Sequence, residues 1–312
     1  MHIAEAGHGP LIILAHGFPE CWYSWRHQIE ALASAGYHVV APDMRGYGRT
    51  ESPPLIESYT MLHLVGDMVG LLDALGAGTA VIAGHDWGSV VAWKAAQLRP
   101  DRFTAVIALA DPYRPHSSGR PTAAMPETED ALFYMLYFQE PGVAEAEYEA
   151  DIPGNLLKNF HRTSGDVVGR KQVIGAGGVN MVRKGGGFLT DTPLPNAPPN
   201  WLGQDGLQVF VEAFRESGFR GPLNWYRNLD RNWELLAPWA DAKVLVPAIY
   251  IVGDRDIVLG FPGTDQLLEH MPRHVPALRG TVFIEGAGHR TQQERPAQTT
   301  EAMLDFLRTL DG

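Results

Sequence analysis

The chain has 312 residues, a formal net charge of −11 and one cysteine, with 45% hydrophobic and 20% charged residues. Such a composition belongs to a globular protein with either two domains or one large α/β domain carrying an insertion. The acidic balance argues against nucleic acid or an anionic membrane as partner, and no apolar run approaches the ~20 residues of a membrane span.

Other exclusions are finer. The lone Cys21 rules out an internal disulfide and fits a reducing cytoplasm. The N-terminus lacks a basic stretch leading into an apolar one, so no signal peptide is expected. His and Cys never fall at metal-ligand spacing, so neither a metal nor a cofactor is expected. A homo-oligomer is compatible with all of this.

In chain order, Ile3 to Ala6 can form a strand, and Leu11 to Ala15 is a continuous apolar run of the kind buried in a parallel sheet. It leads into His16-Gly17-Phe18-Pro19, at the strand end where ligands of open α/β sheets bind. The Phe18 amide there is a candidate donor to an oxyanion; otherwise the segment is an ordinary turn. A helix with Trp25, Ile29 and Leu32 at helical spacing follows, then a strand over Tyr37 to Ala41. A longer helix carries Leu62, Val65, Val69 and Leu72 on one face, with Gly76 as its stop.

The next stretch, TAVIAGHDWG from Thr79 to Gly88, is the one around which the chain is organised. A short strand, a turn with glycines two before and two after a central residue, and an immediate helix make the layout of a nucleophile elbow. The central residue is usually Ser; here it is Asp86. A carboxylate gains little by attacking an ester, because the anhydride it forms is more reactive than its parent. It attacks well at an sp³ carbon bearing a strained or good leaving group, giving an alkyl ester that water must cleave. The competing reading is an Asp that merely caps the following helix.

Phe103 to Ala110 is one more buried strand, and the alternation so far reads as a parallel sheet covered on both faces. After Asp111 the pattern breaks. Helices are expected over Glu129 to Gln139, around Leu207, Phe210, Val211 and Phe214, and around Trp225, Leu229, Trp233 and Leu236. No buried strand is expected before about Trp239, and Gly165 to Pro199 reads as a long irregular excursion. The sheet pattern resumes with Val246 to Val252, ending in Gly253-Asp254-Arg255-Asp256, and with Thr281 to Ile284, ending in Gly286-Ala287-Gly288-His289. A last helix carries Met303, Phe306, Leu307 and Leu310. The expected organisation is a core of residues 1–110 and 240–312 with a helical cap, 111–239, inserted into it.

Asp86, Asp256 and His289 each follow a strand, in the order nucleophile, acid, histidine given for α/β-hydrolase triads. Asp256 could instead cap the next helix, and His289 could be a hydrogen-bonded loop residue. Because Asp86 is already ionised near neutral pH, His289 oriented by Asp256 is suited to activate water against the ester. That attack makes an oxyanion at the Asp86 carboxyl, for which the Trp87 and Phe18 amides are the expected donors. A departing halide needs only N–H donors. An opening epoxide makes an alkoxide and needs a proton, which a phenol (pKa ~10) can give. Tyr113, Tyr134, Tyr137, Tyr148 and Tyr226 are the candidates, each of which could equally be core.

Several long segments make the sequence similar to one family over essentially its whole length. His16 to Arg26 (HGFPECWYSWR), DMRGYGR, GHDWG, LYFQEPGVAEAE from Leu136, and SGFRGPLNWYRN from Ser217 resemble the epoxide hydrolases of the α/β-hydrolase superfamily. The last two are close to the hydrolase domain of mammalian soluble epoxide hydrolase. The resemblance implies an α/β-hydrolase fold, with a mostly parallel sheet, helices on both faces and a helical cap. It implies Asp86 as nucleophile, Asp256 as acid, His289 as base, and Tyr134 and Tyr226 as the pair that activates the oxygen. It also implies a cis bond before Pro19. The expected substrate is a small apolar epoxide, met by water, in a pocket that includes Trp22, Phe133 and Met135, with Phe188 and Trp201 as further apolar candidates.

Departures from the pattern are Arg290 for a common Trp, which alters the wall beside the base, Met135 for a polar residue, Cys21 for Ser or Thr, and Thr50 for Ser. The family's first edge strand is expected to be absent or short, and the mammalian phosphatase domain absent. A haloalkane or haloacid dehalogenase shares the elbow and triad, but the paired tyrosines favour the epoxide. A catalytically inactive α/β-hydrolase-fold receptor is the third reading.

Overall fold

The computed structural model of the chain describes residues 1–167, 174–175 and 178–310. Its centre is a seven-stranded sheet in the order β1-β3-β2-β4-β5-β10-β11. The strands are β1 (Ile3–Ala6), β2 (Leu11–Ala15), β3 (His38–Pro42), β4 (Ala80–His85), β5 (Phe103–Leu109), β10 (Ala248–Gly253) and β11 (Leu278–Ile284). All neighbours are parallel except β1, which runs antiparallel to β3 at one edge. This edge strand, β1, is only four residues long.

Strands β2, β4, β5 and β10 read as apolar runs because helices cover both faces, leaving no side for polar residues. Two apolar clusters result. One holds Ile13, Ile82, Val106 and Tyr250 and continues into the insert. The other holds Ile12, Leu14, Ile107 and Ile251 beneath the first and last helices. Those helices are α1 (Arg26–Ser34) and α12 (Pro296–Arg308), and between them in sequence come α2 (Met61–Ala74) and α3 (Trp87–Leu98). On α2 the buried face is Met61, Leu64, Val65, Met68, Leu71 and Leu72, whereas Leu62 is exposed, so the buried face keeps Val65 and Leu72 but is rotated from the expected one toward Leu64 and Met68.

Residues between β5 and β10 form the insert. It contains β6 (Ala131–Phe133), α4 (Tyr134–Tyr137), α5 (Val143–Ala150), α6 (Ile152–Thr163), β7 (Ile174–Gly175), β8 (Gly178–Val179), β9 (Met181–Arg183), α7 (Gly203–Ser217), α8 (Arg220–Arg227) and α9 (Leu229–Leu236). The expectation of no buried strand here fails. β6 pairs antiparallel with β9, and Ala131, Phe133, Met181 and Val182 are buried. The expected helix over Glu129 to Gln139 shrinks to the single turn of α4, because backbone bonds across the ribbon, including Tyr134 N to Asn180 O at 2.9 Å, outcompete the local helical pattern. β9 also lies inside the expected irregular excursion, parts of which (168–173 and 176–177) fall outside the described residues. The apolar series from Trp225 to Leu236 is split at Asn228 into α8 and α9. After β10 come α10 (Thr264–His274) and, past β11, the short α11 (Thr291–Glu294).

Candidate active site

The elbow is built by backbone constraint. Asp86 stands between β4 and α3 at φ 55°, a left-handed conformation rare outside glycine. The turn is tight enough that a Cβ on Gly84 would lie 2.0 Å from Gly88 O, and one on Gly88 would lie 2.1 Å from Ala15 O. The Asp86 side chain makes no capping bond to α3. Instead Oδ1 accepts from the Phe18 amide at 2.7 Å, and Oδ2 lies 3.4 Å from His289 Nε2. The helix-cap alternative is thus excluded for Asp86. Phe18 follows β2 and is joined to Pro19 by a cis peptide bond. Trp87 is the first residue of α3, where amides lack an intrahelical acceptor.

His289 follows β11 and Asp256 follows β10. Nδ1 of His289 meets both Asp256 oxygens, at 3.0 and 3.1 Å. Asp256 Oδ1 also accepts from the Val258 amide at 2.9 Å, so this residue both caps its turn and faces the histidine. Burial disfavours the imidazolium, but Asp256 and then Asp86 outweigh it and hold His289 well above its usual pKa. Burial likewise pushes the Asp86 carboxyl up, while His289, His85 and the Phe18 amide hold it below the ordinary carboxylate range. Each partner thus favours the charged form of the other. A third carboxylate, Asp111, sits beyond β5; burial and then Asp86 raise its pKa to about 6. The sequence marked Asp111 only as the place where the sheet pattern stops.

Of the five candidate tyrosines, Tyr134 at the start of α4 and Tyr226 in α8 line the same cavity as Asp86 and His289. Their rings are 6.1 Å apart, and Phe138 lies edge-on to both. Burial pushes both phenols well up, Asp86 adding to the effect, so both are protonated at neutral pH. The other three are engaged elsewhere: Tyr113 with Gln97, Tyr137 with Glu147 and Tyr148 with Asn159.

Two clamps hold the tyrosine-bearing elements together. Gln139 Nε2 donates to Met135 O at 2.8 Å and to Tyr226 O at 3.0 Å. Arg227 grips Glu145 through two bonds of 2.6 and 2.8 Å and also reaches Phe138 O. These residues lie within or beside the segments LYFQEPGVAEAE and NWYRN, which explains why such long stretches surround two tyrosines.

The cavity measures ≈ 40 Å³ and is lined by Phe18, Phe138 and Phe188 as well as by Asn159, Arg162, Thr163, Asn180 and Arg290. Of these polar residues only Arg290 was foreseen; nothing in the local sequence of α6 shows which of its faces meets Asp86. Three expected pocket residues are not in the lining. Trp22 packs against the cluster under α1 and α12. Phe133, on β6, is buried with Ala131 and Met181 against Met125 and Phe261, and Met135, on α4, packs against both that cluster and the main one. Phe188 is in the lining, and Trp201 is not. Among the described residues, no cluster of His, Cys, Asp and Glu could hold a metal ion.

Arg290 is buried between core and insert. Its Nε lies 2.9 Å from Glu20 Oε1, Nη2 donates to Asn159 Oδ1 at 3.0 Å, Nη1 donates to Thr163 Oγ1, and the guanidinium stacks on Phe160. Glu20 in turn meets His85 Nδ1 at 3.0 Å, and His85 Nε2 meets His289 O at 2.7 Å.

A family model described as α/β hydrolase fold matches residues 10–295. The chain is 44% identical to epoxide hydrolase A of Mycobacterium tuberculosis, over 100% of this chain and 95% of that protein. The chain belongs to the epoxide hydrolases of the α/β-hydrolase superfamily. It is also 39% identical to the bifunctional epoxide hydrolase 2 of Sus scrofa, covering 99% of this chain but 53% of that longer protein. The structure of an epoxide hydrolase from an endophytic Streptomyces superposes with a TM-score of 0.94 at 40% identity, over 99% of this chain and 92% of that one. No helix among the described residues is long and apolar enough to cross a membrane.

Proposed function

We propose that this epoxide hydrolase opens a small, predominantly apolar epoxide to a vicinal diol through an alkyl ester on Asp86. Asp86 Oδ2 attacks an oxirane carbon, the C–O bond breaks, and Tyr134 and Tyr226 hold the departing oxygen while one phenol protonates it. The observation that carries this reading is the convergence on one cavity of an elbow carboxylate, a histidine 3.4 Å from it and two protonated phenols.

Alkylation removes the negative charge of Asp86, one of the influences that raise the His289 pKa. The ester therefore makes its own base: with that charge gone, His289 gives up its proton, which offsets the one the phenol donated, and the neutral ring takes a proton from water attacking the Asp86 carbonyl; the acyl C–O bond then breaks, releasing the diol and restoring the Asp86 carboxylate. Asp256 keeps the ring oriented. The Phe18 and Trp87 amides would receive the oxyanion. Residues 111–239 act as the cap that closes over the nucleophile. A cytoplasmic location fits the single, buried Cys21.

The test pairs products with intermediates. Styrene oxide should give diol, and 1-chlorohexane no halide. Asp86→Ala should give neither product nor adduct, and His289→Gln should accumulate protein heavier by one styrene oxide in intact mass. In a single turnover in ¹⁸O-water, the diol should carry ¹⁶O from Asp86. Diol labelled fully on the first turnover would refute the ester route, and halide without diol would move the chain to the dehalogenases.

A further inference from the structure

Arg162, near the end of α6, has no role in the steps above, yet it lines the cavity and is buried. Two separate paths join it to Tyr134. Its Nη2 donates to Asn180 Oδ1 at 2.7 Å, and the backbone carbonyl of the same Asn180 accepts from the Tyr134 amide at 2.9 Å. Its guanidinium also sits 4.4 Å from the Phe188 ring centroid, and Phe188 stacks on the Tyr134 ring at 5.3 Å and 24°. Asn180 is held at φ 59°, a conformation Asn tolerates better than most residues, at the turn entering β9. Side chain and carbonyl of one strained residue are thus shared between the arginine and the tyrosine.

We propose that Arg162 is a positioning residue for Tyr134, fixing the phenol over the oxirane oxygen through Asn180 and Phe188, so that ring opening depends on it and ester hydrolysis does not. The proposal rests on the reading of Tyr134 as a ligand of that oxygen. Its charge acts in the same sense: burial and then Asp86 push the Tyr134 phenol up, and Arg162 is one of two arginines that draw it back. A positive charge on that side favours negative charge arriving at the oxygen.

Rapid-quench single turnovers with styrene oxide, read by intact mass, separate formation of the Asp86 ester from its decay. Arg162→Met should slow formation at least tenfold and leave decay within about twofold, and Arg162→Lys should recover part of the loss. In a Tyr134→Phe background, the same Arg162→Met change should cost less than about twofold more, because the positioned group is gone. Asn180→Gly keeps the left-handed turn and the buried arginine but breaks the link; it should slow formation about threefold, again without adding to Tyr134→Phe. Losses that multiply in the double variants, or equal slowing of both steps, would overturn the proposal as a purely structural effect. Unchanged ester formation in Tyr134→Phe alone would instead remove Tyr134 from the chemistry, and the proposal with it.

Discussion

The protonation states at the site are set by competition between burial and neighbouring charge, residue by residue. Burial alone would lower the His289 pKa; two carboxylates within hydrogen-bonding reach reverse the sign. The consequence is measurable. A base must be neutral to activate water, so kcat limited by ester hydrolysis rises with pH through the His289 pKa of the alkylated enzyme. Asp256→Asn removes the largest influence raising that pKa, so the ascending limb of kcat should move to lower pH. The plateau should fall by about 10²–10⁴-fold, because the ring loses its orientation. A limb that stays in place would show that Asp256 does not govern the base.

At the scale of elements, the elbow is a packing solution as much as a chemical one. β4 and α3 meet so closely that Gly84 and Gly88 leave no room for a Cβ, and the atoms in the way are backbone, which cannot rotate aside. Gly88→Ala should therefore destabilise the fold by about 3 kcal/mol or more, read as a lower urea midpoint; an unchanged midpoint would contradict the geometry. The elbow was legible in sequence because strand, turn and helix are contiguous. The β6–β9 ribbon was not, because its two halves lie about fifty residues apart and each is only three residues long. A helix-like aromatic pattern at Phe133, Tyr134, Tyr137 and Phe138 concealed the change of backbone at Tyr134.

Across the whole molecule, the insert is fastened to the core on two sides. On one, Trp225 Nε1 donates to Arg45 O, Asn228 to Ile56 O, and the Met61 amide to Asn232. On the other, the His289 loop and the end of α6 are knitted by Arg290, by Glu294 binding the Gly165 and Gly288 amides, and by the His289 amide bonding Thr163 O. Arg290 reaches Glu20 from the core and Asn159 from the insert, so it carries both charge balance and docking. Arg290→Met leaves Glu20 buried beside His85 without its guanidinium, which should cost about 3–5 kcal/mol in chemical denaturation. A loss below 1 kcal/mol would show that the docking does not depend on the pair.

The sequence by itself determined the things that local order encodes. Apolar runs ending in turn residues gave the parallel strands, the spacing of glycines around Asp86 gave the elbow, and strand-end positions gave Asp256 and His289. Chemistry alone required a proton donor for an epoxide oxygen, but left five tyrosines equivalent. Only the tertiary structure decided what depends on residues distant in the chain. It brings Tyr134 and Tyr226 to one cavity, leaves Phe133, Met135 and Trp22 out of its lining, and seats Arg162, Asn180 and Arg290 in its wall. The physical reason is that a side chain's helical or strand phase is written in its neighbours, whereas the face it meets is set by long-range packing and by backbone bonds between segments that share no local pattern.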